Sequence, residues 1–496
     1  MQGLYNSVLE GKSVLLLLDN AADDKQVLPL LPPLGCVVLV TSRKKFTLPG
    51  MPEPFLLDTL KPSDARDLLL KICPRMSRQA EEIAKLCGYL PLALRATASL
   101  LAVKSDLNPS SYLEELRSER TRLEKIGKEG VDLDVEASFT LSYNRLPEEM
   151  ANVFCQLSVF PSDFDAQAED AVCQDEGHCN LSELVTWSLV EFLSSASGEG
   201  GRYRLHDLAR VFAESRLEDA YREPARLRHA RHYQKLLWAA NKQFLQGNDR
   251  LAMGLKLFDI NWMNIKSGQN WASENKSKSN EIAEICSNFA DASSILNLRL
   301  HPLRYTEWLE EALKISREIG DRRGEGAKLG NMGNTYSHLS EPRKAIEYYE
   351  QALKISREIG DRRGEGNRLG ELGDAYSHLG EPRKAIEYYE QALKISREIG
   401  DRMGEGAHLG SLGNAYSHLG EPRKAIEYYE QALKILREIG DRRGEGAGLG
   451  NLGYLLYRLD KKVEAIKLAK EALIIFEQIE SPNVKVVKEW IRKWEE

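Results

Sequence analysis

The sequence predicts a multidomain chain: a partial α/β domain, then helical domains with one small β-hairpin, then an all-α superhelix built from repeats. Three observations carry this. Short unbroken aliphatic runs, "SVLLLLD" and "CVVLVTSR", fall within the first 43 residues, and such runs mark parallel strands covered on both faces. Helical periodicity dominates from residue 64 onward, broken by "LVEFLSS" and "GRYRLHD" on either side of a Gly-rich "GEGG", which read as a hairpin. From Gly320 a 40-residue unit recurs at Gly360 and Gly400, and in a diverged copy at Gly440.

Composition limits the function classes. The 496 residues are 42% hydrophobic and 29% charged with a net charge of −7, which gives no general pull toward nucleic acid or an anionic membrane. Seven cysteines are scattered, and Cys173, His178 and Cys179 lack a paired CxxC, so no metal site is expected. No cleavable leader and no apolar run of about 18 residues is visible, which makes a reducing cytoplasm the expected location and a membrane role an unexpected one.

The expected segments are a partial nucleotide-binding domain over 1–60, a helical domain over 61–130, a winged-helix-like domain over 131–220, a helical linker over 221–278, a repeat array over 279–479 and a capping helix over 480–496. In the first, Gly11, Lys12 and Ser13 match only the end of a phosphate loop. The glycine that should stand at position 6 is Asn6, and the strand follows the lysine instead of preceding it. The strand ending in Asp19 has the shape of a Walker B segment, whose carboxylate helps hold Mg²⁺. In the third, "NLSELVTWSLVEFL" carries Glu183 and Glu191 and no Arg or Lys, so reading DNA is not expected of it. Trp238, Trp262 and Trp271 are expected to lock helices together in the linker.

Each repeat is expected to hold one helix over roughly Arg323–Leu339 and a second over Pro342–Glu358. Proline suits the first turn because its missing N–H has no partner there, and Ser340, Gly380 and Gly420 break the chain between helices. Gly333 and Ala345 allow close approach where Tyr336, Tyr349, Leu329 and Ala352 fill the seam, which is the tetratricopeptide arrangement. "YTEWLEEALKISREIG" at 305–320 matches a second helix, and "SNEIAEICSNFADASSILNL" is its expected partner, giving about five units.

"LLLLDN", "VVLVTSR", "GYLPLAL" and "RYRLHDLARVFA" occur in the order seen in the NB-ARC class of STAND signal-transduction ATPases, which the chain resembles in a bacterial form ending in tetratricopeptide repeats. That class includes the apoptotic protease-activating factor and plant disease-resistance proteins. The resemblance implies ADP or ATP with Mg²⁺ as ligand, with Asp19 as the Walker B acid, Arg43 as the sensor arginine, Pro91 against the adenine and His206 at the β-phosphate. Asn20 and Leu205 depart from the class pattern, and the class's phosphate loop would lie before residue 1. Asp19 is therefore read as vestigial, and His206 either contacts phosphate or caps the helix "DLARVFAESRL".

The leading functional expectation is a protein-interaction scaffold or sensor arm that binds a protein or peptide in the concave repeat groove. A nucleotide-switched ATPase and a transcriptional regulator are the alternatives, and self-association stays open. In the groove, Asn334, Asp374, Asn414 and Tyr454 form one aligned column; Ala327, Asn367, Ala407 and Ala447 a second; Lys328, Arg368, His408 and Gly448 a third. Asn and Asp can hydrogen-bond the backbone of an extended peptide, so Asn334, Asp374 and Asn414 are the expected primary contacts. Drift on a solvated face is the bland alternative.

Phosphoryl transfer depends on held phosphates, so the 496-residue chain is expected to hydrolyse ATP no faster than background. Steady-state phosphate release that Asp19→Ala abolishes would contradict this.

Overall fold

Asp-capped, proline-started and glycine-ended segments alternate along the chain, and the computed structural model turns them into two units, Met1–Asn144 and Arg145–Glu496. The structure describes residues 2–19, 21–33, 35–42, 46–48, 55, 57, 59–125, 130–194, 201–246, 248–479 and 483–495.

In the first unit, helix α1 (Gln2–Leu9) precedes strand β1 (Leu15–Leu18), the short helix α2 (Asp24–Val27) and strand β2 (Val37–Val40). The strands pair in parallel with Leu15 opposite Val37 and Leu18 opposite Val40. Sequence predicted strands covered on both faces, but among the described residues Leu15, Leu17, Val37 and Leu39 are all more than half exposed. Their alternates Leu18 and Val40 pack on Ala21, Val27 and Leu48. The parallel pairing holds, then, with only one face covered. Helices α3 (Pro62–Ile72), α4 (Ala80–Leu86), α5 (Pro91–Val103), α6 (Pro109–Lys125) and α7 (Gly130–Tyr143) follow. α5 is apolar nearly all round and is buried by α3 and α7. The Arg75 guanidinium closes its carboxyl end, donating to Leu101 O at 3.2 Å and Leu107 O at 2.7 Å.

The second unit opens with α8 (Glu148–Gln156), α9 (Ala166–Cys173), α10 (Cys179–Thr186), the antiparallel strands β3 (Glu191–Leu193) and β4 (Arg202–Arg204), and α11 (Asp207–Arg216). Two long antiparallel helices come next, α12 (Asp219–Leu245) and α13 (Asn248–Asn275). Arg202 of β4 donates to Asp163 Oδ2 at 2.5 Å and to Asn261 Oδ1 at 3.1 Å, which ties the hairpin to α13. Trp262 stacks between Phe258 and Trp308, as a junction tryptophan should. Trp238 does not lock helices: it is 53% exposed and carries Lys242 over its ring at 5.4 Å.

The array follows as α14 (Asn280–Phe289), α15 (Ser293–Arg299) and α16 (Pro302–Glu318), then four regular pairs. These are α17 (Arg322–His338) with α18 (Pro342–Glu358), α19 (Arg362–His378) with α20 (Pro382–Glu398), α21 (Arg402–Leu419) with α22 (Pro422–Ile439), and α23 (Arg442–Arg458) with α24 (Lys462–Gln478). Helix α25 (Asn483–Glu495) covers the last apolar face with Val487, Ile491 and Trp494. The four regular pairs step by the 40-residue period. The expected single helix over 279–298 is instead two, because Asn241 Oδ1 accepts the Ile295 N–H at 2.9 Å and starts α15 anew.

Each line of "GDRRGEG" has a mechanical job. Gly360 turns the chain in the left-handed region at φ +70°, and Asp361 then caps α19 by accepting the Gly364 N–H at 3.0 Å. Glu365 is buried at the junction, where Arg357 of the preceding helix donates to it at 2.8 Å and Arg362 at 2.5 Å. Arg362 also reaches Glu398 at the end of the next second helix. The clamp repeats at Arg317–Glu325–Arg322–Glu358 and Arg397–Glu405–Arg402–Glu438, and closes at Arg437–Glu445–Arg442.

Burial acts to raise the carboxyl pKa of Glu325 and Glu405, but the arginine hydrogen bonds outweigh it and hold both below the ordinary value of 4.5. A depressed folded-state value means the clamp's stability is full above that pH and is lost as pH falls through the lower folded value. Glu405→Gln is expected to lower stability by about 1 to 3 kcal/mol at pH 7, read by urea denaturation, with the gap to the parent chain closing in acid. An equal gap at pH 7 and pH 3 would contradict the clamp.

Candidate functional site

First helices of successive units approach one another closely, α19 on α21 and α21 on α23, more so than second helices do. The first helices therefore line the inner, concave side of the array. Tyrosines of the second helices fix this surface from beneath. Gly373 has no Cβ, and one built there would stand 2.5 Å from Tyr389 Cε1, so only glycine lets that ring cross α19. The Tyr389 hydroxyl then donates to Asp374 Oδ1 at 2.6 Å. Tyr349 donates likewise to Asn334 at 2.8 Å and Tyr429 to Asn414 at 2.6 Å. Burial raises all three phenol pKa values, which keeps them neutral donors. Protein packed around its carboxyl also raises the Asp374 pKa, against the opposing Tyr389 hydrogen bond, although the residue keeps part of its surface in solvent.

The predicted column Asn334, Asp374 and Asn414 thus already has one acceptor atom engaged per unit. Asn451 Nδ2 also reaches Asn414 Oδ1, at 3.1 Å. Tyr454, the fourth member, is 46% exposed and lies 5.4 Å from the Trp490 ring of the terminal helix. Lys328 is buried and ion-paired with Asp291, which anchors α17 to the turn before α15. Arg368 lies across Gly330, and its Nη1 is 2.8 Å from Glu371 Oε2. His408 lies against Gly370 with Nδ1 3.2 Å from Ser396 Oγ, and burial pushes its pKa down. Asn367 is exposed.

A column that sequence reasoning missed is Asn331, Glu371, Ser411 and Asn451, one turn before Asn334 and its equivalents. Its signal was available in the copies. Across the three most similar units the second helix, from Pro342 to Glu358, differs at one position, 356. The first helix, from Arg322 to His338, differs at seven: 323, 327, 328, 331, 332, 334 and 335. Exposed residues on the outer face, among them Arg343, Glu347, Glu350, Gln351 and Lys354, never change between those copies.

The residues implied by the ATPase resemblance stand on separate elements of the chain. Asp19 ends β1, is exposed, and accepts a hydrogen bond from Thr41 at the end of β2. The backbone joins the same strand ends, with Ala21 N donating to Thr41 O at 2.8 Å. Arg43 and Asn20 lie outside the described residues. Pro91 opens α5 as its first residue, and His206 caps α11 by accepting the Leu208 N–H at 3.3 Å, the structural role its sequence context allowed. A carboxylate beside a hydroxyl at two strand ends suits a Mg²⁺-nucleotide, but the described residues form no cluster of three metal-ligating side chains.

With this geometry in view, comparison with known proteins places the chain. A tetratricopeptide repeat family model matches residues 306–358, 327–398, 365–438 and 404–478. Regulatory protein AfsR of Streptomyces griseus is 36% identical over 233 residues, 45% of this chain and 23% of its own length. Disease resistance RPP8-like protein 3 of Arabidopsis thaliana is 27% identical over 247 residues, 42% of this chain and 26% of its own. A solved signal-transduction ATPase with a tetratricopeptide repeat sensor, from Pyrococcus horikoshii, aligns over 99% of this chain and 79% of that one, with 19% identity and a TM-score of 0.42. The array is made of tetratricopeptide repeats, and the chain resembles the NB-ARC signalling class named by its motifs. It spans about a quarter of the length of these curated relatives.

The tyrosine bond to an acid should matter more than the same bond to an amide, since charge-assisted hydrogen bonds are the stronger ones. Tyr389→Phe is expected to cost about 1.5 to 3 kcal/mol of array stability and Tyr429→Phe about 0.5 to 1.5. Equal thermal shifts for the two variants would count against the arrangement.

Proposed function

We propose that the chain is the sensor arm of an NB-ARC-type signalling protein and holds a protein or peptide segment along its first-helix groove. One observation carries the reading: differences between copies concentrate on the groove-lining helices, while exposed outer residues stay the same. Drift would have altered Arg343 or Lys354 as readily as position 327, which is Ala327, Asn367 and Ala407 in the three copies, because all of these are exposed. A rigid array with varied polar residues on one side suits recognition of an extended or helical segment.

In this reading residues 131–220 serve as a winged-helix-like clamp and Asp19, Arg43, Pro91 and His206 are remnants or parts of a nucleotide site. The Thr41–Asp19 hydrogen bond, which brings two strand ends together, is what favours an ADP- or ATP-linked switch as the second reading. Binding in the groove does not require it.

Ala327, Ala407 and Ala447 are exposed on the groove side of their helices, so arginine there blocks the groove without opening a core. The partner captured from the native lysate is expected to bind the triple variant A327R/A407R/A447R at least tenfold more weakly. A control with Gln351, Gln391 and Gln431 changed to Arg on the outer face should bind like the parent. The reverse pattern would move the binding surface to the second helices.

A further inference from the structure

Two carboxyls stand one helical turn apart in the middle of the groove, at Glu371 and Asp374, where neighbouring units carry neutral Asn331 and Ser411, Asn334 and Asn414. A purely backbone-reading groove has no need of charge at one unit alone, since an amide oxygen also accepts a peptide N–H. The acids are also poorly matched within the chain. Arg368 Nη1 comes within 2.8 Å of Glu371 Oε2, yet both atoms are shut off from solvent and no well-directed hydrogen bond reaches either. The guanidinium cannot swing inward to improve the angle, because it already lies over Gly330, where even a Cβ would sit 1.5 Å from Nη1. Asp374 is exposed, with Oδ1 engaged by Tyr389. Among the described residues Arg368 is ion-paired with Glu371 alone, and no arginine or lysine is ion-paired with Asp374, whose charged neighbour is His378.

We propose that Arg368, Glu371 and Asp374 form a specificity pocket that receives a basic side chain, lysine or arginine, of the bound protein segment. The proposal rests on the groove reading above. An incoming cation pairs with the second oxygen of Asp374, lies beside the Glu371 carboxyl, and fixes the register of the segment at one unit of the array. The other units, with Asn and Ser in the same columns, then read the chain on either side.

Titration supplies a second handle. Burial pushes the Glu371 carboxyl up to about 7, opposed by the Arg368 charge. The groups facing it are Arg368 and Asp374 on α19, Asn334 on α17 and Tyr349 on α18, while His408 of α21, against Gly370, is pushed below its ordinary value by burial. A basic side chain needs Glu371 ionised, so its affinity should fall as pH drops below about 7, by up to about tenfold per unit.

The test is an array of immobilised 12-residue peptides of randomised sequence, probed with the full chain and with E371Q, D374N and the double variant, each first shown to melt like the parent by circular dichroism. Captured peptides are expected to be enriched in Lys or Arg, the double variant to lose that enrichment and bind the basic peptides at least tenfold more weakly, and neutral peptides to bind all variants alike. For the unmodified chain, affinity for the basic peptides should fall fivefold or more from pH 7.5 to pH 6, with neutral peptides unaffected. Capture without basic preference, a preference that survives in the double variant, or a flat pH profile overturns the pocket and leaves the groove standing. Failure of every form of the chain to capture any peptide overturns both.

Discussion

A buried glutamate held between two arginines sets the geometry of the whole array. Glu365 cannot be removed from water alone, and the two guanidinium groups that satisfy it come from different helices. Arg362 then reaches on to Glu398, so each clamp grips the next second helix as well as the last. The same three contacts recur at Glu325 and Glu405, and identical ties impose an identical step. A regular step brings equivalent residues of successive first helices into line on one surface. Exposed ion pairs contribute little singly, but a shielded carboxylate with two donors is expensive to leave unpaired, and that cost opposes any other packing angle.

Labour divides between the helices of each pair. Second helices carry the core, with Ala345, Tyr349, Ala352 and Ile355 buried, and their sequence hardly changes between copies. First helices keep glycine and leucine toward the core, as at Gly373, Leu369 and Leu372, and spend their remaining face on varied polar groups. The tyrosine that crosses beneath each first helix ties the two roles together, since its ring belongs to the core while its hydroxyl orients a groove residue. Stability and recognition are thus carried by different faces, and the groove can vary without disturbing the stack.

The array was highly legible because its signals are local. The 40-residue period, proline at the first position of α18 and the glycine turns depend on neighbouring residues, and Pro342–Glu358 came out at the predicted bounds. Contacts between distant residues were not legible. Asn334 looked like a free groove amide, and its bond to Tyr349 could be seen only after two helices were laid together. The column of Asn331, Glu371 and Ser411 was visible in the copies but was passed over for its neighbours. In the first unit the strands and their parallel pairing were readable from aliphatic runs. Whether Leu15 and Leu17 are covered depends on what packs over them, which a run of leucines does not encode. Trp238 illustrates the same limit: its size suggested a junction, yet its place on α12 turns it outward.

The central claim is that binding takes place on the first helices of a stack that does not itself rearrange. Backbone hydrogen exchange of the full chain, with and without its captured partner, tests that claim most directly. Added protection should appear over 327–335, 367–375 and 407–415, with exchange in α18, α20 and α22 unchanged. Protection concentrated on those second helices, with the first helices unaffected, would contradict it.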